Sequence, residues 1–265
     1  MIAKAQGLEY EVHGAGEPVL LIHGSHVADA FVPLLQEGAL AERYQLIRYR
    51  RRGFAGSDPV SSPFTIAEQA RDAVKLLGHL GVSRAHVVGH SYGAVTALQV
   101  AADSPEVVHS LVLLEPPLMT PAEAGPVNEQ FAPLFEAYSS GDAAGAVDLF
   151  MQFVGGPDWR SVVAKSVLGG PEQAEADAAT FFEVELPALA EWDFTSIPSG
   201  SLSQPALYVI GSESGEPFES AIGHARSLAP GLEETRLPGL DHLLQMRDPA
   251  LVAEAIASFI ARHPL

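Results

Sequence analysis

Short apolar runs recur along the chain, separated by longer stretches with helical spacing. Residues 19–22 (Val-Leu-Leu-Ile), 85–88 (Ala-His-Val-Val), 111–114 (Leu-Val-Leu-Leu) and 206–210 (Ala-Leu-Tyr-Val-Ile) carry almost no polar positions. Gln45, Leu46, Ile47, Arg48 and Tyr49 form a further run. Runs this short and apolar predict strands buried on both faces, as in a parallel sheet. In contrast, Ile66, Ala70, Ala73, Val74, Leu77 and Leu80 recur with the period of a helix, and Thr65 and Glu68 stand at capping-box spacing before it. Residues 92–102 and 251–260 predict two more helices. The alternation implies an α/β fold with a mainly parallel sheet covered by helices on both faces.

The alternation stops between residues 118 and 200. This stretch is rich in Pro, Gly, Ala and Glu, with helical patches at 131–138 and 143–153. Ten of the twenty aromatic residues lie in it, so it has material for an apolar core of its own. It is expected to form a helical cap inserted into a core domain made of residues 1–117 and 201–265, and to sit over one end of the sheet. Phe135, Trp159 and Trp192 are its candidates for substrate contact.

Gly89-His90-Ser91-Tyr92-Gly93 fits G-x-S-x-G, after an expected strand and before an expected helix. That context gives the motif its chemistry. A sharp turn exposes the Ser91 hydroxyl at the end of the sheet. Free N–H groups at the start of the next helix favour a developing negative charge beside it. With this motif, the chain resembles the α/β-hydrolases. His23-Gly24-Ser25 is similar to their oxyanion loop, Arg51-Arg52-Gly53-Phe54-Ala55-Gly56-Ser57 to their R-x-G-x-G-x-S turn, and Leu237-Pro238-Gly239-Leu240-Asp241-His242 to their catalytic histidine loop. The resemblance covers nearly the whole chain outside the insertion. It implies an eight-stranded sheet, Ser91 as nucleophile, His242 as base, and the backbone N–H groups of Ser25 and Tyr92 as the oxyanion hole. His26 is a candidate at the pocket mouth; His23 and His90 are expected to be structural.

The acid is less direct. Most members of that family carry Asp in a G-x-x-D pattern after the penultimate strand. Here Gly211-Ser212-Glu213-Ser214 puts serine at that place, and a serine cannot stabilise an imidazolium as a carboxylate does. Glu115 closes the apolar run 111–114 ahead of Pro116 and Pro117, which stop the strand. It therefore falls at the same sheet end as Ser91. Zearalenone-type lactone hydrolases and some haloalkane dehalogenases place their acid after this strand. Glu115 is the preferred candidate; Glu213, Glu216, Asp241 and a dyad without an acid stay open.

Acids outnumber bases 33 to 15, a net charge of −18. Such a surface repels nucleic acid and anionic lipid. The cluster Arg48, Arg50, Arg51 and Arg52 is too short to make a basic stripe. The chain has no cysteine, which excludes disulfide and thiolate chemistry. There is no H-E-x-x-H or comparable metal pattern and no Gly-rich nucleotide loop, so no cofactor or metal is expected. The first residues lack a signal-peptide pattern, and the expected setting is cytoplasmic, as a monomer or homodimer. The reading is a serine hydrolase acting on a small hydrophobic ester or lactone. Rivals are a C–C bond hydrolase of β-diketone-like substrates and a receptor-like binding protein with incidental turnover. Halide release is disfavoured, since dehalogenases carry Asp where Ser91 stands.

Overall fold

The computed structural model describes residues 2–265. Eight strands form one sheet: β1 (Ala3–Ala5), β2 (Leu8–His13), β3 (Glu17–Ile22), β4 (Tyr44–Tyr49), β5 (Ala85–His90), β6 (Val108–Leu114), β7 (Ala206–Gly211) and β8 (Glu233–Leu237). Their order is β1-β2-β4-β3-β5-β6-β7-β8. The strands from β4 to β8 in that order pair in parallel, and β1 and β2 add an antiparallel edge. The apolar runs fall in β3 to β7. β1 and β2 escape a pattern search because both are only partly buried and β1 is short.

Alternate residues of each central strand serve opposite faces. Leu20, Ile22, Val87, Leu111 and Tyr208 pack with the helices Ile66–His79, Tyr92–Asp103 and Glu216–Leu228. Val19, Leu21, Val88, Val112 and Leu207 pack with the helix Pro249–Ile260 on the other face. The helix Ile66–His79 starts at the expected capping box, where Thr65 accepts from Glu68 N–H and the Glu68 side chain accepts from Thr65 N–H.

A helical cap lies between β6 and β7. Its helices include Pro121–Gln130, Ala132–Ser139, Ala143–Gly155, Trp159–Ser166 and Gly170–Ala176, followed by a π-helical turn, Thr180–Glu185. They enclose a third apolar cluster that contains Trp159, Met151 and Phe181, and Val27, Ala30, Leu243 and Met246 join it from outside the insertion. Polar contacts add to this join. Thr180 Oγ1 donates to Gly53 O (2.6 Å), Ala55 N–H donates to Asp177, and Arg247 Nη2 donates to Gly155 O (2.8 Å).

Candidate active site

Ser91 follows the last residue of β5 and precedes the helix Tyr92–Asp103. Its backbone has φ 52° and ψ −123°, which is strained for a residue with a side chain. Close packing forces the neighbouring glycines. A Cβ on Gly89 would lie 2.4 Å from Gly93 O, and one on Gly93 would lie 2.1 Å from Ile22 O. Ser91 N–H is held by Leu114 O at 2.8 Å, so the turn is tied to the end of β6.

Glu115 is the next residue after that carbonyl. It is fully buried, with φ 49°. Its Oε2 accepts a hydrogen bond from His242 Nδ1 at 2.6 Å. Its Oε1 accepts from Gly211 N–H at 2.7 Å and from the Ser214 hydroxyl at 2.5 Å. A buried carboxylate needs such partners to remain charged. The other acidic candidates are engaged elsewhere. Glu213 and Glu216 are exposed, and Asp241 accepts from Leu243 N–H and pairs with Arg247.

The His242 ring is buried and stacks on Phe218, with centroids 4.2 Å apart. The contact with Glu115 sets the proton on Nδ1 and leaves Nε2 as the free lone pair. His90 supports the same loop: its Nε2 bonds His242 O at 2.9 Å, and its Nδ1 meets the Gln245 amide at 3.0 Å. His23 Nε2 accepts from Arg51 N–H at 2.8 Å, which ties the segment after β3 to the turn after β4.

Ser91, His242, Ser25 and Tyr92 line one narrow cavity of about 80 Å³ under the cap. Most of its remaining wall is apolar, including Pro117, Met119, Phe131, Phe150, Phe181 and Phe218. A wider groove of about 520 Å³ adjoins it and shares Met119, Val127, Phe153, Pro217 and Phe218. Glu123 and Glu216 stand in the groove wall.

The four expected substrate contacts lie outside the lining of this cavity. His26 is completely buried behind it, against the rings of Phe150 and Phe181. Trp159 is completely buried in the cap, where its Nε1 donates to Asp148 Oδ1 at 2.9 Å. Trp192 lines an adjoining cleft, which shares Pro117, Met119, Val127, Phe131, Leu186 and Leu189 with the cavity, and donates to Gln99 Oε1 at 2.7 Å. Phe135 is exposed on the surface. An indole N–H needs an acceptor when buried, and both tryptophans found theirs away from Ser91. Phe131, Phe150, Phe153 and Phe181 of the same insertion line the cavity instead.

One lining residue had no motif to announce it. Glu185, the last residue of the π-helical turn, is buried in the cavity wall and forms an ion pair with Arg51. Burial pushes its pKa above the usual carboxylate range, partly offset by Arg51 and Ser25. Among the described residues, no group of three or more His, Cys, Asp and Glu side chains is arranged to hold a metal ion.

The sheet order, the strained serine turn and the buried histidine–carboxylate contact agree with the relationship found by sequence. Residues 19–255 match the alpha/beta hydrolase family. The chain belongs to that family. Among curated proteins, it is 40% identical over 108 residues to RutD of Azorhizobium caulinodans, a protein named for carbamate hydrolysis, with 40% of each chain covered. It is 43% identical over 112 residues to RutD of Variovorax paradoxus, covering 40% of this chain and 41% of that one. The match thus spans about two fifths of these relatives' length. Among solved structures, an enol-lactonase from Burkholderia xenovorans superposes with a TM-score of 0.80 at 17% identity, over 98% of this chain and 100% of the other. Est816, described as an N-acyl homoserine lactone degrading enzyme, gives 0.74 at 21% identity, over 98% and 100%. At these identities the structures establish a shared fold. Among the described residues, no helix is long and apolar enough to cross a membrane.

Proposed function

We propose that this family member is a serine hydrolase that cleaves a small hydrophobic carboxylic ester or lactone through an acyl-enzyme. The observation that carries the reading is the hydrogen bond of His242 Nδ1 to Glu115, with His242 and Ser91 in the lining of one apolar cavity. Ser91 Oγ attacks the carbonyl carbon while His242 Nε2 takes its proton. Glu115 holds the imidazole in the correct tautomer and stabilises its charged form. The N–H groups of Ser25 and Tyr92 receive the oxyanion. The tetrahedral intermediate then expels the alkoxide, which takes the proton from His242. Water, activated by the same histidine, attacks the acyl-enzyme and releases the acid and free Ser91. The insertion acts as the cap that limits substrate size, with the wider groove as the path inward.

The resemblance to lactone hydrolases that place their acid after β6 favours a lactone among the esters. A carbamate is the second reading, because the RutD relatives are named for that substrate and its carbonyl undergoes the same acyl transfer. Incubation with a fluorophosphonate should add one phosphonyl group to Ser91 and end p-nitrophenyl ester turnover. A protein that neither labels at Ser91 nor hydrolyses any ester would overturn the assignment.

A further inference from the structure

Two larger spaces adjoin the Ser91 cavity, and they differ in chemistry. The cleft beside Trp192, about 120 Å³, shares six apolar side chains with the cavity. They come from three segments: Pro117 and Met119 after β6, Val127 and Phe131 at the end of the helix Pro121–Gln130, and Leu186 and Leu189 of the helix Leu186–Glu191. Side chains from three segments bordering both spaces form an apolar neck between them. Met119 and Val127 also border the wider groove, and an unbranched methionine adapts readily to what lies against it. Asn128 and the Trp192 indole are the polar side chains of the cleft, and the indole N–H is already given to Gln99 Oε1 at 2.7 Å. The groove is unlike it, with Glu123, Gln130, Ser214, Glu216 and Ser220 in its wall. Hydrogen bonds from the Thr120 backbone and side chain lower the Glu123 pKa to about 2, so this wall is charged. An alkyl chain laid along it would strip water from a carboxylate, which is costly. The cleft imposes no such cost.

The position of His242 separates the two spaces in the same sense. Phe218 borders the groove and stacks on the His242 ring at 4.2 Å. In the proposed acyl transfer the departing alkoxide takes its proton from His242, so the alcohol leaves beside that ring. Neither His242 nor Phe218 lines the Trp192 cleft. A further space beside Ser91, lined by Ser25, His90 and His242, measures about 20 Å³. That is room for one water, and it takes neither arm of an ester.

We infer that the Trp192 cleft is an acyl-chain subsite and the acidic groove the alcohol side. The inference rests on the serine-hydrolase reading and deepens it. The substrate class becomes esters of unbranched, medium-chain carboxylic acids with a small neutral or cationic alcohol, since the groove carboxylates repel an anionic one.

Ethyl octanoate and octyl acetate test the assignment, because they are isomers that carry the long chain on opposite sides of the ester. Initial rates are measured by pH-stat at pH 8, below the concentration at which either ester separates from water. Each buried methylene is worth about fourfold, so the wild type should favour ethyl octanoate over both octyl acetate and ethyl butyrate by at least about tenfold in kcat/KM. Ala124→Phe and Ala190→Trp place bulk in the cleft from two different helices, at positions outside the lining of the Ser91 cavity. Each should lower the ratio of ethyl octanoate to ethyl butyrate by about fivefold or more, the effect of one or two displaced methylenes. The ratio of octyl acetate to ethyl acetate should stay as in the wild type. Ratios within one variant cancel a general loss of activity, and either variant suffices should the other fail to fold. An isomer ratio near one, a preference for octyl acetate, or an octanoate-to-butyrate ratio unchanged in the folded variants overturns the inference. So does fluorophosphonate labelling of Ser91 without turnover of ethyl octanoate, and in each of these cases Ser91 stands as nucleophile. Absence of both ester turnover and labelling of Ser91 overturns the hydrolase reading, and the subsite with it.

Discussion

The Ser214 hydroxyl donates a hydrogen bond to Glu115 Oε1, and the other oxygen of that carboxylate holds His242. Ser214 stands at the position where most α/β-hydrolases carry their acid. A polar contact thus stands at that point, and in the proposed mechanism the carboxylate comes from the end of β6. Gly211 N–H adds a second donor to the same oxygen, so the carboxylate is fixed from the β7 side while it faces the histidine.

Replacing the carboxylate should therefore be severe. Glu115→Gln keeps the shape, but it removes the charge that stabilises protonated His242 and favours the wrong tautomer. A kcat loss of ~10³–10⁴ is expected, as for other triad carboxylates. Glu213→Gln and Glu216→Gln should each cost less than about tenfold, since both side chains are exposed and act only through screened charge. Measuring all three on one ester, with folding checked by circular dichroism, distinguishes the candidates. A crippled Glu213→Gln or Glu216→Gln, with Glu115→Gln active, would reject Glu115 as the acid.

Ser214→Ala removes one donor and leaves Gly211 N–H in place. The expected result is a kcat loss of about tenfold and a stability loss of ~1.5–3 kcal/mol, the usual range for a hydrogen bond to a charged group. Ser214→Asp should be worse than Ser214→Ala. It places a second carboxyl group against a buried one, and two adjacent carboxylates cannot both ionise freely. Activity of Ser214→Asp equal to the wild type would show that Glu115 is not held as described.

Ser91→Ala should abolish turnover and phosphonylation with little change in melting temperature. Alanine fits the space of serine, and the turn is fixed by backbone contacts with Leu114, Gly89 and Gly93. More than a few per cent of residual activity in contaminant-free protein would exclude Ser91 as the nucleophile.

The turn at Ser91 and the sheet-end position of Glu115 were readable from the chain because they rest on local chemistry. G-x-S-x-G requires a tight turn, and the glycines at 89 and 93 meet backbone atoms that leave no room for a Cβ. Glu115 was marked by its place after four apolar residues and before two prolines. The pocket wall was less readable. Helical periodicity in the insertion does not say which ring faces Ser91, and Trp159 and Trp192 turned toward Asp148 and Gln99. Glu185 lay hidden for a related reason. The π-helical turn shifts the phase of the helix, so a pattern based on 3.6 residues per turn misplaces the side chain. Arg51 was legible only as part of a turn motif; its links to His23 and to Glu185 of the cap depend on contacts distant in sequence.

His26 supplies a prediction about pH and stability. Its ring is fully buried against Phe150 and Phe181, and burial lowers its pKa from 6.5 to about 3. The folded state therefore holds the neutral form, while the unfolded chain takes up a proton near pH 6.5. A depressed folded pKa makes the unfolded state bind more protons at low pH, so stability falls as pH decreases. The contribution is complete above pH 6.5 and is lost between about pH 6.5 and pH 3, amounting to as much as ~4–5 kcal/mol. His23 and His90 act in the same direction. Burial lowers the pKa of each, reinforced by Arg51 for His23 and by His242 for His90. Urea unfolding between pH 8 and pH 4 should show a declining free energy of unfolding through this window. His26→Asn, which tolerates the left-handed backbone at φ 62°, should be less stable at pH 8 because the ring is gone, yet should show a shallower pH slope. An equally steep slope in His26→Asn would mean that the acid sensitivity arises from other groups and that His26 titrates normally.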